Sequence, residues 1–268
     1  MNTSLSPNSA QNRTSFKIMI DSVHALLMRE LKTRFGTSKL GYFWAIAEPV
    51  AQAAVLGLIF TLLGRHSVNN IPIALFIFTG LLPFKLFSKL LPQLSVGISA
   101  NKALFAYRQV APIDPIITRL LIELTTYVIT YIFIMLCLGW LGFNVIPEQL
   151  LPLFAANALL VLLSIGLGIS LCSAVQYWAD TPKVLAMVLS PLFYLSGVFY
   201  SATMIPPQYW FLLEWNPIFH LIELSRDAYF KEYITPIGNW QYVFNCALVA
   251  VVLGLSLYRI NRFKFVSQ

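Results

Sequence analysis

The chain has 268 residues, of which 58% are hydrophobic and 11% charged, with a formal net charge of +7. Soluble domains carry roughly 25% charged residues, so this composition excludes an ordinary water-soluble domain and places the chain in the membrane class. In that class a surplus of Lys and Arg reads as loop topology and not as a nucleic-acid surface.

Residues 1–15 contain no apolar run that would serve as a signal peptide and are expected to form a disordered cytoplasmic tail. Residues 16–268 are expected to form one transmembrane domain. From about 20 to 35, Val23, Leu27, Leu31 and Phe35 recur every four residues, while Arg29 and Lys32 fall off that row. This predicts an amphipathic helix lying on the inner membrane surface. Arg29, Lys32, Arg34 and Lys39 make a cationic patch there, with anionic lipid and a protein partner both open as what it meets.

Six spans follow, over residues 42–63, 72–97, 116–141, 150–178, 184–201 and 240–260. A crossing needs roughly 20 mainly apolar residues, each a helix because lipid offers the backbone no hydrogen-bond partners. In the first span Trp44 marks the inner boundary. Glu48 sits one to two turns deeper, and Pro49 frees a carbonyl one turn earlier. The Glu48-Pro49 pair is a candidate hinge and gate at the cytoplasmic mouth.

The second span is interrupted by Pro83 and Pro92 and carries Lys85 and Lys89, which at i, i+4 share one helix face. A charge at membrane depth costs roughly 2.5–3.5 kcal/mol on insertion scales and marks a water-filled path, unless it snorkels to an interface. Both readings stay open for these lysines. The cytoplasmic loop 98–115 contains a short helical stretch with Asn101, Lys102, Phe105, Tyr107 and Arg108, expected to end at Pro112 and Pro115.

In the third span Arg119 and Glu123, at i, i+4, are expected to pair with each other. Ser164, Gly166, Gly168 and Ser170 in the fourth give two small-xxx-small pairs, a pattern for close helix packing. Between spans five and six, residues 203–233 are too polar to cross and too apolar to float free. They read as a periplasmic re-entrant hairpin of two short helices, the second capped by Asn216 with Pro217 at its first position. Glu223–Arg226 and Asp227–Lys231 pair along that helix, each pair worth a few tenths of a kcal/mol, about 0.2–0.5.

With the N-terminus inside, thirteen Lys and Arg fall on the cytoplasmic side and three (Arg65, Arg226, Lys231) outside. That asymmetry puts both termini in the cytoplasm. The fold class is thus an all-α integral membrane protein of six transmembrane helices, with an N-terminal interface helix and a re-entrant hairpin.

The chain has no G-x-x-x-x-G-K-[ST] phosphate loop, no H-E-x-x-H and no G-x-S-x-G. Its three cysteines (Cys137, Cys172, Cys246) make no metal or disulfide pattern, and its histidines lie in three separate segments. No catalytic, cofactor or metal site is expected.

The runs MRELKTRFGTSKLGYFWAIAEP (28–49), NKALFAYRQVAPIDPIITRLLIE (101–123) and WNPIFHLIELSRDAY (215–229) resemble, in order and spacing, bacterial capsular-polysaccharide export permeases of the KpsM type. These are membrane subunits of ABC transporters of the O-antigen and capsule export class. The resemblance implies a homodimer in the bacterial inner membrane working with two copies of a separate cytoplasmic ATPase, which binds the ATP and Mg. It implies export of a lipid-linked acidic polysaccharide, passed to a periplasmic adaptor and an outer-membrane exporter. Under it, Arg29, Lys32, Arg34, Asn101, Lys102, Phe105, Tyr107 and Arg108 become ATPase-coupling residues, with the 101–111 helix as the coupling element. Trp44, Glu48, Lys85 and Lys89 become the substrate path. The family is more often neutral at the two lysines, which ties them to this chain's own substrate. O-antigen or teichoic-acid polymers are the alternative cargo, and a membrane-embedded glycan-processing enzyme the alternative class.

Overall fold

The computed structural model describes residues 15–35, 41–64, 67–106 and 110–266. It is almost wholly helical: α1 (Ser15–Phe35), α2 (Gly41–Leu62), α3 (Ile73–Ser95), α4 (Asp114–Trp140), α5 (Leu150–Val175), α6 (Thr181–Leu195), α7 (Pro217–Tyr229) and α8 (Trp240–Val266). The N-terminal tail expected over 1–15 lies, apart from Ser15, outside the described residues.

Among the described residues four helices are long and apolar enough to cross a membrane: α3, α4, α5 and most of α8. Two more are apolar but shorter, Ala47–Leu62 within α2 and the 15-residue α6. At 1.5 Å per residue α6 reaches about 22 Å, less than the roughly 30 Å of hydrocarbon. The fifth apolar segment, expected to run to residue 201, therefore stops early, and the chain turns at Ser196–Gly197 towards α7.

The second apolar segment is the centre of the fold. α3 runs unbroken through Pro83 and Pro92 and packs on α2, α4, α5 and α7. Its consecutive residues from Leu75 to Phe84 are all buried, the pattern of a helix enclosed by others. α5 lies beside it and makes its closest crossing with α8. There a Cβ on Gly166 would stand 2.3 Å from the Ala250 backbone, and one on Gly254 2.5 Å from the Gly166 carbonyl. Of the small residues read from the sequence, Gly166 thus brings two backbones of one chain together, while Gly168 makes room for the Leu94 side chain of α3. α4 and α8 instead leave rows of large apolar side chains uncovered, such as Val128, Ile132 and Leu136, or Phe244, Leu248 and Val252. Such rows face lipid or another membrane helix.

Three local features depart from the sequence expectation. A two-residue antiparallel hairpin, β1 (Ser67–Val68) and β2 (Ile71–Pro72), precedes α3. Its Asn69 and Asn70 both have positive φ, as a tight hairpin turn needs. Pro115 does not end the loop helix but opens α4 at its first turn, where a missing N–H costs nothing. The loop segment itself is a 3₁₀ helix, Ser99–Ala106.

Candidate substrate path and coupling face

α1 and α4 are held together by crossed ion pairs. Arg119 and Glu123, expected to pair with each other, each reach across to α1. Arg119 Nε donates to Glu30 Oε1 at 3.1 Å, and Arg34 Nη1 donates to Glu123 Oε1 at 2.6 Å. Arg34 also contacts Glu30 at 3.5 Å and donates to the Gln93 side chain, while Arg119 Nη1 donates to the Gln93 carbonyl at 2.7 Å. The correction has a simple cause. An i, i+4 pair exposed to solvent gains a few tenths of a kcal/mol, about 0.2–0.5, whereas a charge on a buried face must find a partner on whatever covers it.

The buried row of α1 accordingly runs Leu26, Glu30, Arg34, with Leu26 and Glu30 enclosed and Arg34 half-buried. The expected row of Val23, Leu27 and Leu31 is only half-buried, and Phe35 lies outside the residues whose side chains are described. α1 docks on α4 through a polar seam. Glu30 and Gln93 are members that sequence reasoning missed. The signal available was Glu30 and Arg34 at i, i+4 on the row begun by Leu26.

The coupling segment is tied to the same helix. Arg29 donates to the Asn101 side chain, whose Nδ2 donates to the Gly97 carbonyl at 2.9 Å. Phe105 is not presented outwards: it is buried against Leu90, Leu94, Ile98, Ile116 and Phe265 and pins the 3₁₀ helix to the bundle. Lys32 is exposed and Lys102 half-buried. Tyr107, Arg108 and Lys39 lie outside the described residues.

Between α2 and α3, Glu48 gathers both lysines. Lys85 Nζ donates to its Oε1 at 2.8 Å and Lys89 Nζ to its Oε2 at 3.1 Å. One carboxylate thus serves two ammonium groups, and the Glu48 side chain stays 46% exposed. The α2 helix continues through Pro49, which is buried. Trp44 is exposed one turn before Glu48, with its ring edge-on to Phe43 at 5.8 Å.

At the other end of the molecule, Glu223 and Arg226, the pair read along α7, are both wholly buried. Arg226 Nη1 donates to the carbonyls of Gly197 (2.7 Å) and Tyr200 (3.1 Å), and Nη2 to those of Val198 (3.0 Å) and Phe76 (3.2 Å). The guanidinium lies 3.8 Å over the Phe76 ring and 3.6 Å from Glu223. Gly80 makes room for it, since a Cβ there would fall 2.3 Å from Nη2. Glu223 accepts from the Tyr233 hydroxyl at 2.7 Å and the Thr235 hydroxyl at 3.1 Å.

Asn216 caps α7 as expected, accepting from Ile218 N at 3.0 Å, but α7 ends at Tyr229, so Lys231 falls beyond the helix that was to pair it with Asp227. Asp227 instead accepts from Thr235 N at 3.3 Å.

Among the described residues no group of His, Cys, Asp and Glu could hold a metal ion. What the arrangement offers is a cluster of one carboxylate and two lysines between α2 and α3, and a polar seam that ties α1 to α4.

The model of the ABC-2 type transporter family matches residues 21–230. The chain is 38% identical to the polysialic acid transport protein KpsM of Escherichia coli, covering 92% of this chain and 96% of that protein. It is 30% identical to the capsule polysaccharide export inner-membrane protein CtrC of Neisseria meningitidis serogroup A, over 88% of this chain and 89% of that one. To the O-antigen export system permease protein RfbA of Klebsiella pneumoniae it is 24% identical, over 92% and 94%.

Proposed function

The chain belongs to the ABC-2 type transporter family, and we propose that it is the inner-membrane permease subunit of an ATP-driven exporter of acidic, lipid-linked capsular polysaccharide. The observation that carries this reading is the likeness to a polysialic acid transport protein over nearly the whole of both chains. The capsule relatives stand above the O-antigen permease in identity, which favours a capsule polymer over O-antigen or teichoic acid. The chain catalyses no reaction itself. A separate cytoplasmic ATPase supplies the energy, consistent with the lack of a phosphate loop in this sequence.

Two copies of the chain and two ATPases make the working unit, which hands its polymer to a periplasmic adaptor and an outer-membrane exporter. Both termini are cytoplasmic. α2 and the shorter α6 complete six spans with α3, α4, α5 and α8, and residues 203–233, with α7 as the second helix, form a hairpin that enters the membrane from outside. The enclosure of α7 by α3, α5 and α8 supports that reading, because polar helix ends at membrane depth need protein around them. Arg29, Lys32, Arg34, Asn101, Lys102, Tyr107 and Arg108 form the ATPase face, with Phe105 anchoring it from within. Trp44, Glu48, Lys85 and Lys89 form the cytoplasmic mouth of the path. Its surplus positive charge draws an acidic polymer by field without holding it tightly.

Purification of the tagged chain from its native operon tests the reading: a stoichiometric ATPase should come with it. Turnover of a nucleotide sugar by the chain alone would refute it. For the mouth, Lys85→Gln with Lys89→Gln should leave the complex assembled and cut export of an acidic capsule about tenfold or more, at roughly 1 kcal/mol per lysine. Unchanged surface capsule would remove the lysines from the path.

A further inference from the structure

The lysine cluster has a second side. Beside Pro49, Lys85 and Lys89 line a crevice of about 40 Å³ against α4, with Leu82, Leu86, Thr126, Tyr127 and Thr130. The Thr130 hydroxyl is buried there and has no hydrogen-bond partner. A buried hydroxyl left unpaired is costly, and so marks a place where a polar group of a ligand belongs. The volume is that of a few water molecules, enough for a small oxyanion.

The crevice continues into a much larger groove. Leu86 and Tyr127 also line a groove of about 700 Å³ between α4 and α5, walled by Val128, Ile132, Phe154 and Val161. Its polar crossing is the bond from the Tyr127 hydroxyl to Asn157 Oδ1 at 2.9 Å. From Leu150 to Leu162 the wall extends about 18 Å along α5. In a membrane such a groove does not stay dry and empty, and an apolar lining of this length suits an acyl chain.

Charge decides which lipid. Around the crevice stand four cations, Lys85, Lys89, Arg34 and Arg119, against three carboxylates, Glu30, Glu48 and Glu123. Glu123, the one carboxylate lining the crevice, is bound to Arg34 at 2.6 Å. One positive charge is left over at a depth where an unmatched charge is expensive. A zwitterionic headgroup brings no net charge to match it, and a phosphate with one net negative charge does.

We propose that Lys85, Lys89 and Thr130 bind the phosphate of an acidic phospholipid whose acyl chain lies in the α4–α5 groove. Lys89 lies six residues before the end of α3, about 9 Å below the α1 side of the bundle. The lipid therefore comes from the leaflet on the α1 side, the cytoplasmic one in the orientation proposed above. The lipid phosphate and an acidic polymer therefore compete for the one surplus charge, the lipid from the α4 side and the polymer from the Glu48 side. The site goes beyond the transport reading and would stand whatever polymer the chain moves.

The test uses the full chain in nanodiscs of mixed phosphatidylethanolamine and phosphatidylglycerol, with retained lipids counted by native mass spectrometry after mild detergent extraction. The wild-type chain should retain phosphatidylglycerol in excess of its share of the bilayer. Lys85→Gln and Lys89→Gln should each lower that excess about fivefold. Ala158→Trp, which fills the groove from its lipid-exposed wall and leaves the lysines intact, should lower retention of the same lipid. Retained lipid that mirrors the bilayer overturns the proposal. So does an excess insensitive to the lysines, or one that Ala158→Trp leaves unchanged. Recovery of a glycan-bearing lipid in place of phosphatidylglycerol also overturns it, by assigning the groove to cargo.

Discussion

The two ends of the molecule handle buried charge in different ways. At the α6–α7 end one guanidinium is sealed among four carbonyls, an aromatic face and a single carboxylate, all of them supplied by α3, α7 and the segment between α6 and α7. At the α1 end, Arg34, Arg119, Glu30, Glu123 and Gln93 share partners across three helices, and Arg34 remains partly exposed. The first arrangement has one solution and behaves as a lock. The second divides its bonds among several partners, so one bond can be lost while others hold. It suits a helix that has to shift with an outside partner, whereas the lock suits a turn that must keep its place.

Breaking the lock should have the largest effect. Arg226→Leu strands Glu223 and leaves the four carbonyls without their donor, a loss of roughly 3–5 kcal/mol. The variant should fail to accumulate as a monodisperse species on size-exclusion chromatography, while Glu223→Gln should accumulate with a lowered thermal midpoint. Equal behaviour of Arg226→Leu and wild type would mean the two ends do not differ.

Arg119→Gln removes a charge-assisted bond to Glu30 and should cost about 1.5–3 kcal/mol. Its loss should be local. Limited proteolysis should cut between α1 and α2 faster, with the main melting transition nearly unmoved, and a concerted loss of the whole fold would contradict the shared-seam picture.

Gly80→Ala sharpens the contrast by pressing on the lock without removing it. Its Cβ would meet the guanidinium, which has little freedom to retreat. A drop of about 1–3 kcal/mol in detergent stability is expected, against no change for an alanine at Gly57, where nothing lies within 4 Å. The smallest effect belongs to the exposed pair Lys183–Asp180, at 2.7 Å, whose removal by Lys183→Ala should stay under about 0.5 kcal/mol.

The pattern of what was legible follows the range of the forces. Asn216-Pro217 gave its cap correctly because a cap is local: an acceptor side chain, a free N–H, and a proline that needs none. Gly166 announced a close crossing, and α8 met it there. The i, i+4 rule placed Arg119 beside Glu123 but could not say that α1 would cover both and offer each a partner 89 residues away. Nor could it show that Glu223 and Arg226, at ordinary surface spacing, would be sealed inside. Phe105 is expected among the ATPase-coupling residues of the 101–111 helix, and only the packing of α3, α4 and α8 around it shows that it is buried in the bundle.

Composition and apolar run lengths thus determined by themselves that this is a helical membrane protein, since lipid leaves the backbone no other partner and sets the length of each crossing. Three ordered sequence blocks determined the family. The tertiary structure alone decided which charges pair, that α3 is the enclosed centre despite its prolines and lysines, and that Glu48 answers both Lys85 and Lys89. Those outcomes depend on which helix lies against which, and a buried charge is satisfied by its nearest neighbour in space, which the spacing along a single helix does not specify.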